Sequence, residues 1–317
     1  MILSVTYNPC VDRTLFVSSI ILYSTNRVLR TETDAGGKGI NVARVCAELG
    51  VPTFATGFIG GATGEMVKCV LRKEKVDYEF VEVKGETRIN INIEDEKGDT
   101  PTTFHEAGPR VSEEEIQKLE KFVETLLPKS TFVVTGGALP PGMAEDSFVN
   151  LIRIARKYGV PVVIDTEGEK LRKACEEKPF MIKPNLREAE ELLGRPLREI
   201  HEIADAAEEI HRNGIPIVVI SLGAAGAVLA SDEGVFHAIP PPIKVVSTIG
   251  SGDSLVAGVL YGLTHKKHHA EVLQWGVAAG TATALTDGAE IARLPVIESL
   301  FGQIHLQELR TYETKAR

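Results

Sequence analysis

Cysteine is scarce in this chain, at 4 of 317 residues, and Cys10, Cys46, Cys69 and Cys175 lie too far apart for a zinc spacing. Basic residues are also in short supply, with 35 Lys and Arg against 44 Asp and Glu, a formal net charge of −9. That balance argues against nucleic acid, whose binding depends on clustered cations. A small phosphorylated molecule is still compatible, because it needs only a few local cations. No apolar run approaches the roughly 20 residues of a membrane span. The opening stretch, "MILSVTYNPCVD", has no basic leader. A cytoplasmic protein with reduced thiols is therefore expected.

What is present is an alternation. "MILSV", "TFATGF", "TFVVTG", "VPVVID", "PFMIK" and "PIVVIS" are short, β-rich runs bounded by Gly, Pro or charge, as buried strands are. Helical stretches lie between them. "VSEEEIQKLEKFVETLL" opens with Ser112 and Glu115 in capping-box spacing, and "AEDSFVNLIRIARKYG" stops at Gly159. The fold class expected is α/β, a mostly parallel sheet sandwiched by helices. Ligands of such sheets collect beyond the carboxyl ends of the strands.

Two stretches, 14–33 and 86–108, break the alternation and look like β ribbons. In the second, Arg88, Asn90 and Asn92 alternate with Ile89, Ile91 and Ile93, so one face is polar and the other apolar. "DEKG" is a plausible hairpin turn there. The ribbons are expected to form a β lid inserted in a body of residues 1–13, 34–85 and 109–317. Its polar face would look down on a ligand, and its Ile face is expected to pair two copies into a homodimer. The tail past about Glu308 is expected to fray.

Glycine-rich turns occur at "AGGKGIN", "GFIGGATGE", "SLGAAGA" and "GSGD". The Walker loop is excluded because Gly39, not Ser or Thr, follows Lys38, and no dinucleotide fingerprint follows the first strand. In "STIGSGDSLVAG", Gly250, Ser251 and Gly252 precede an apolar helical run, so their backbone N–H groups can converge on an anion. Asp253 at that helix start reads equally as a dipole-favoured acid or as a general base beside a phosphoryl group. His265, Lys266, Lys267, His268 and His269 read as a solvated connecting loop, and Trp275 as helix packing.

Four segments in order, "AGGKGINVARVCAELG", "KPNLREAEELLG", "ISLGAAGAVL" and "STIGSGDSLVAG", resemble the ribokinase-like carbohydrate kinases of the phosphofructokinase B type. The similarity covers nearly the whole chain and is greatest to the branch of 1-phosphofructokinase and tagatose-6-phosphate kinase. It implies ATP and Mg²⁺, with Asp253 as catalytic base and Gly250 to Gly252 as anion hole. Asp12 would accept bonds from sugar hydroxyls, with Gly37 and Asn41 on the same substrate floor. Lys38 and Arg88 would anchor a phosphate already on the sugar. Asn185 and Glu188 fit an ordinary helix cap, and by resemblance also organise Mg²⁺ and phosphates through water, with no side chain as a direct metal ligand. Ser221, Gly223 and Gly226 would lie near the nucleotide phosphates and ribose.

The expected activity is thus ATP-dependent phosphorylation of a ketohexose monophosphate. Fructose 1-phosphate going to fructose 1,6-bisphosphate is the first choice, with tagatose 6-phosphate or fructose 6-phosphate as alternatives. A catalytically silent sugar-phosphate sensor is the rival of another class. Gly136 and Ala138 stand where these kinases commonly carry serines, and Glu167 where the branch usually has Ser. Those departures put the sugar, rather than the chemistry, in question.

Overall fold

The computed structural model describes residues 1–95 and 102–312. Most of the turn expected at "DEKG" lies past Asp95, outside the described residues. The β-rich runs assemble into an 11-stranded sheet. Its parallel centre runs Ile217–Ser221, Met181–Ile182, Val162–Asp165, Phe132–Gly136, Ile2–Thr6, Thr53–Ile59 and Asp77–Tyr78. The central strand Ile2–Thr6 is buried along its whole length, as a continuous apolar run covered on both faces must be. One core layer packs that sheet against helices Lys38–Glu48, Ser251–Thr264 and His269–Thr283; the other packs it against Glu113–Leu126, Ser147–Lys157 and Ile200–Arg212. The capping box of Ser112 and Glu115 forms as expected, and Gly159 takes φ +68° past the next helix. Among the described residues no helix is long and apolar enough to cross a membrane.

The far edge of the sheet is antiparallel. Ala227–Ser231, Gly234–Ile239 and His305–Thr311 continue it as a meander, so of the tail expected to fray past about Glu308 the part up to Thr311 is strand, and residues 313–317 lie outside the described residues. Arg310 pairs with both Asp205 and Glu208 of helix Ile200–Arg212, which ties the tail down. The tip of that meander also engages the His-rich turn. His269 bonds Ser231 Oγ at 2.8 Å and donates its backbone N–H to Glu233, which docks the end of this turn, while His265, Lys266, Lys267 and His268 are exposed, as a solvated loop is. Trp275 packs against Tyr261 and Phe301, as expected.

A separate four-stranded sheet combines Arg30–Gly36, Cys10–Val17, Arg88–Asp95 and Thr102–His105 in that order. Its strands reach back to Cys10 and forward to Gly36, past the 14–33 boundary read from the sequence, because the pairing runs from Cys10↔Gly36 through Phe16↔Arg30. Asn90 and Asn92 turn their polar face inward and are buried, while Ile89, Ile91 and Ile93 are only half-buried.

Candidate active site

Strands Ile2–Thr6, Phe132–Gly136 and Val162–Asp165 end side by side, and the four-stranded sheet stands over their carboxyl ends. Between them lies a cavity of about 380 Å³. Asp12, Gly37, Lys38, Asn41, Arg88, Glu188, Gly250 and Asp253, separated by up to 241 positions in the chain (253 − 12), all line it. Ser251, Gly252, Asn185, Ser221, Gly223 and Gly226 are not among its lining residues. Ser221 is joined by a backbone bridge to Asn185, which caps the helix that carries the lining residue Glu188. Gly226 has a structural reason of its own: at φ +84°, a Cβ there would fall 1.9 Å from the Ala238 carbonyl oxygen across the hairpin.

Helix Ser251–Thr264 begins after Gly250, which takes φ +74° as a left-handed N-cap that favours glycine. Ser251 N–H donates back to the Thr248 carbonyl at 3.3 Å, and the N–H groups of Gly252 and Asp253 fall in the first helical turn, which offers them no intrahelical acceptor. Asp253, in that first turn, is buried and accepts from Asn41 Nδ2 at 2.8 Å. Burial pushes its carboxyl up to about 6, with Asp165 adding to the rise; Lys38, Lys183 and the Asn41 bond oppose it. A carboxylate so placed can take a proton near neutral pH.

Below it sits a pair of lysines on one acid that the sequence reading missed. Asp165, at the end of its strand, receives Lys38 Nζ at 3.0 Å and Lys183 Nζ at 3.4 Å, with Asp165 and Lys183 almost fully buried. Lys183 also reaches the helix start: its Nζ lies 3.4 Å from where a Gly252 Cβ would be. Burial penalises the Asp165 charge, yet the two lysines hold its carboxyl below the usual range. Burial likewise penalises the Lys38 charge, but Asp165 and Asp253 hold its pKa above the ordinary value. Lys38, expected from the resemblance to anchor a phosphate, is therefore already paired with an acid. The signals for the missed pair were slight: an acid closing "VVID" and a lysine before Pro184-Asn185.

Under the four-stranded sheet, Asn90 Nδ2 donates to Asp12 Oδ1 at 2.9 Å and to Cys10 Sγ at 3.1 Å, and Cys10 Sγ donates to Asp12 Oδ1 at 3.3 Å. Burial, then Asp12, push the Cys10 thiol far up, so it stays neutral. The acceptor atoms Asn90 Oδ1, Asn41 Oδ1, Asn8 Oδ1 and Thr6 Oγ1 are buried in this lining without an intramolecular partner. Unpaired buried acceptors favour a ligand rich in hydroxyl donors. Arg88 is held by the Asn8 carbonyl at 3.0 and 3.2 Å and the Glu106 carbonyl at 3.3 Å, which fixes its guanidinium at the cavity. Asn185 and Glu188 form a reciprocal capping box, at 2.9 and 2.8 Å. Gly136, Ala138 and Glu167 do line the cavity.

The model of the pfkB family of carbohydrate kinases matches residues 5–296. A 1-phosphofructokinase of Bacillus subtilis is 34% identical over 310 residues, covering 98% of this chain and 100% of that protein. A tagatose-6-phosphate kinase of Staphylococcus epidermidis is 33% identical over 312 residues, with the same coverage. Phosphofructokinase-2 of Escherichia coli, in complex with substrates and products, superposes with a TM-score of 0.89 at 31% identity, over 95% of this chain and 98% of that one.

Proposed function

The chain belongs to the pfkB family of carbohydrate kinases and is a sugar-phosphate kinase; from that premise we propose that its acceptor is fructose 1-phosphate, converted by ATP to fructose 1,6-bisphosphate. The observation that carries this reading is one cavity lined at once by Asp253, by the glycine turn of Gly250 and by the cations Lys38 and Arg88. Phosphoryl transfer needs mainly positioning and charge stabilisation, with a base for the acceptor hydroxyl. In this reading Asp253 takes that proton, Asn41 orients it, and the helix start with Lys183 faces the charge that develops on the phosphoryl oxygens. Asp12, held by Asn90 and Cys10, accepts bonds from the sugar hydroxyls, and Arg88 grips the phosphate that the sugar already carries.

Mg²⁺ fits the same site as a hydrated ion, for which Asn185 and Glu188 would supply the outer contacts. Glu188 lines the cavity with one oxygen spent on its own cap, and among the described residues no three acidic, His or Cys side chains converge as a direct cage. Magnesium commonly keeps several waters, and when bound it would neutralise phosphate charge. Ser221, Gly223 and Gly226 belong to the nucleotide side in this reading, next to Asn185.

Turnover on fructose 1-phosphate, tagatose 6-phosphate and fructose 6-phosphate, compared as kcat/KM, decides the acceptor. Fructose 1-phosphate is expected to lead. Arg88→Ala is expected to raise KM for the sugar phosphate by about 10-fold or more, the scale of a lost charge-assisted bond, with KM for ATP little changed. Equal rises in both constants would remove Arg88 as the anchor.

The four-stranded sheet acts as the lid of a homodimer in the same reading. Leu22, Tyr23 and Leu29 in the loop between two of its strands, and Phe104 on its edge strand, are all more than half exposed, an apolar surface suited to a second copy. A tetrameric inhibited form of the Escherichia coli enzyme is known. Sedimentation is expected to give a dimer at micromolar concentration, and a monomer would reject this assembly.

A further inference from the structure

Arg44 is the largest fully buried side chain of the described residues, and the sequence reading gave it no role. It lies on helix Lys38–Glu48, whose first turn carries Lys38 and Asn41 into the cavity. All five of its N–H donors are used. Nε donates to Glu74 Oε2 at 2.7 Å, and Nη2 donates to Glu74 Oε1 at 2.9 Å and to Asp34 Oδ1 at 3.2 Å. Nη1 donates to the Ala35 carbonyl at 2.8 Å and to the Ala289 carbonyl at 3.3 Å.

Glu74 follows helix Gly61–Lys73, whereas the other partners lie on the lid strand and on a loop far from it in sequence. Asp34 and Ala35 end the lid strand Arg30–Gly36 beside Asp12, so closely that a Cβ on Gly36 would fall 2.0 Å from Asp12 Oδ2. Ala289 sits in the loop after helix His269–Thr283, whose continuation at Ala284 accepts a bond from Val246 N at 2.8 Å. In the kinase reading that is the nucleotide side, since Val246 lies four residues before the glycine turn at Gly250. Loop and lid also touch directly. A Cβ on Gly288 would lie 2.8 Å from Glu32 Oε2 and 3.0 Å from Thr14 Oγ1, and Arg30 reaches Asp287 at 3.1 Å from the exposed side.

We propose that Arg44 is a positioning residue that couples the sugar-side lid to the nucleotide-side loop, so that binding of one substrate favours binding of the other. The inference rests on the kinase reading of the cavity. A buried guanidinium with every donor engaged cannot follow Ala35 without straining or breaking its bond to Ala289, because each unmade bond would leave a buried polar group unsatisfied. Movement of the lid hinge and movement of the loop therefore share one fixed point, which gives two sites a common two-state element. Lysine in its place keeps the charge but lacks the planar fork that reaches all four partner residues.

The test is a binding cycle rather than an activity assay. Dissociation constants for fructose 1-phosphate are measured by calorimetry with and without Mg²⁺ and a non-hydrolysable ATP analogue, in the wild type and in Arg44→Lys. The wild type is expected to bind the sugar phosphate about 5-fold or more tightly with the analogue present, at the low end of usual couplings, and the variant less than about 2-fold. A purely structural role would lower the melting temperature and leave that ratio intact, which would overturn the proposal, as would a wild-type ratio of one. If Arg44→Lys does not fold, Asp34→Ala, which removes only the lid-side carboxylate, is expected to reduce the ratio, and an unchanged ratio would overturn the proposal. Failure of the wild type to bind either ligand would reject the kinase reading of the cavity and this inference with it.

Discussion

Asp253→Asn is expected to lower kcat by about 10²-fold or more while both KM values move little, since a general base contributes in the transition state alone. The amide keeps the size of the side chain and can still accept from Asn41, so the site should bind normally. The pH profile gives a second measure. With the Asp253 carboxyl pushed up to about 6 by burial, the wild type must lose the ionised base as pH falls. Its kcat/KM is therefore expected to drop about tenfold per unit below about pH 6, with a plateau above. That limb should be absent from the residual activity of the variant. Near-wild-type turnover in Asp253→Asn would remove this residue from the mechanism.

The same substitution should affect stability in the opposite direction. A carboxyl with a folded pKa above its unfolded value binds protons in the native state that the unfolded chain has already released. Stability from this group falls as pH rises from about 4 to about 6, and the full penalty persists above that window. Asp253→Asn is thus expected to melt higher than the wild type at pH 8 and to lose that advantage near pH 3.5. Buried charge at Asp253 is a cost the fold carries for chemistry.

Asp165→Asn is expected to be the most destabilising single change considered, by roughly 3–5 kcal/mol at neutral pH, because it strands the buried Lys183 charge that Asp165 now holds. Lys183 is almost fully buried and cannot regain water by a rotamer change. Here the linkage has the ordinary acid sign. The Asp165 carboxyl is held below its usual range, so its contribution is present above the unfolded pKa and is lost as pH falls through the folded value. The difference between wild type and variant should therefore narrow at low pH. Urea melts at pH 7.5 and pH 3 measure both effects, and a loss below about 1 kcal/mol at pH 7.5 would mean that Lys183 finds another partner. The double substitution Asp165→Asn with Lys183→Met should recover part of the loss, since it removes the stranded charge together with its acid.

Some of this was legible because it depends on local physics. The run "MILSV" is short, apolar and β-rich, and it is the buried central strand whatever surrounds it. Ser112 with Glu115 caps a helix through bonds made three residues apart, and Gly250 accepts a positive φ because it lacks a Cβ. The alternation of Arg88, Asn90 and Asn92 with isoleucines placed one face of a ribbon inward, and Asn90 and Asn92 are buried there. The tail was misjudged for the converse reason. Past Glu308 the chain is polar and reads as fraying, but as far as Thr311 it pairs with the strand edge that Gly234–Ile239 offers, and Glu208 and Asp205 are partners for Arg310.

The division at the site follows the same line. By itself the sequence determined the order of β and α units, the glycine turn before Asp253 and the presence of Asp12, Lys38, Asn41 and Arg88 in segments of recognisable form. Tertiary structure alone decided that Lys38 is tied to Asp165, that Lys183 is buried beneath the helix start, that Asn90 and Cys10 hold Asp12, and that Arg44 joins Asp34 to Ala289. Periodicity and capping act over three or four residues, so they are written along the chain. A charge's partner, its burial and its pKa are set by groups outside that local window, such as Asp165 for Lys38 and Asn41 for Asp253, and only the packing of strand ends brings those groups together.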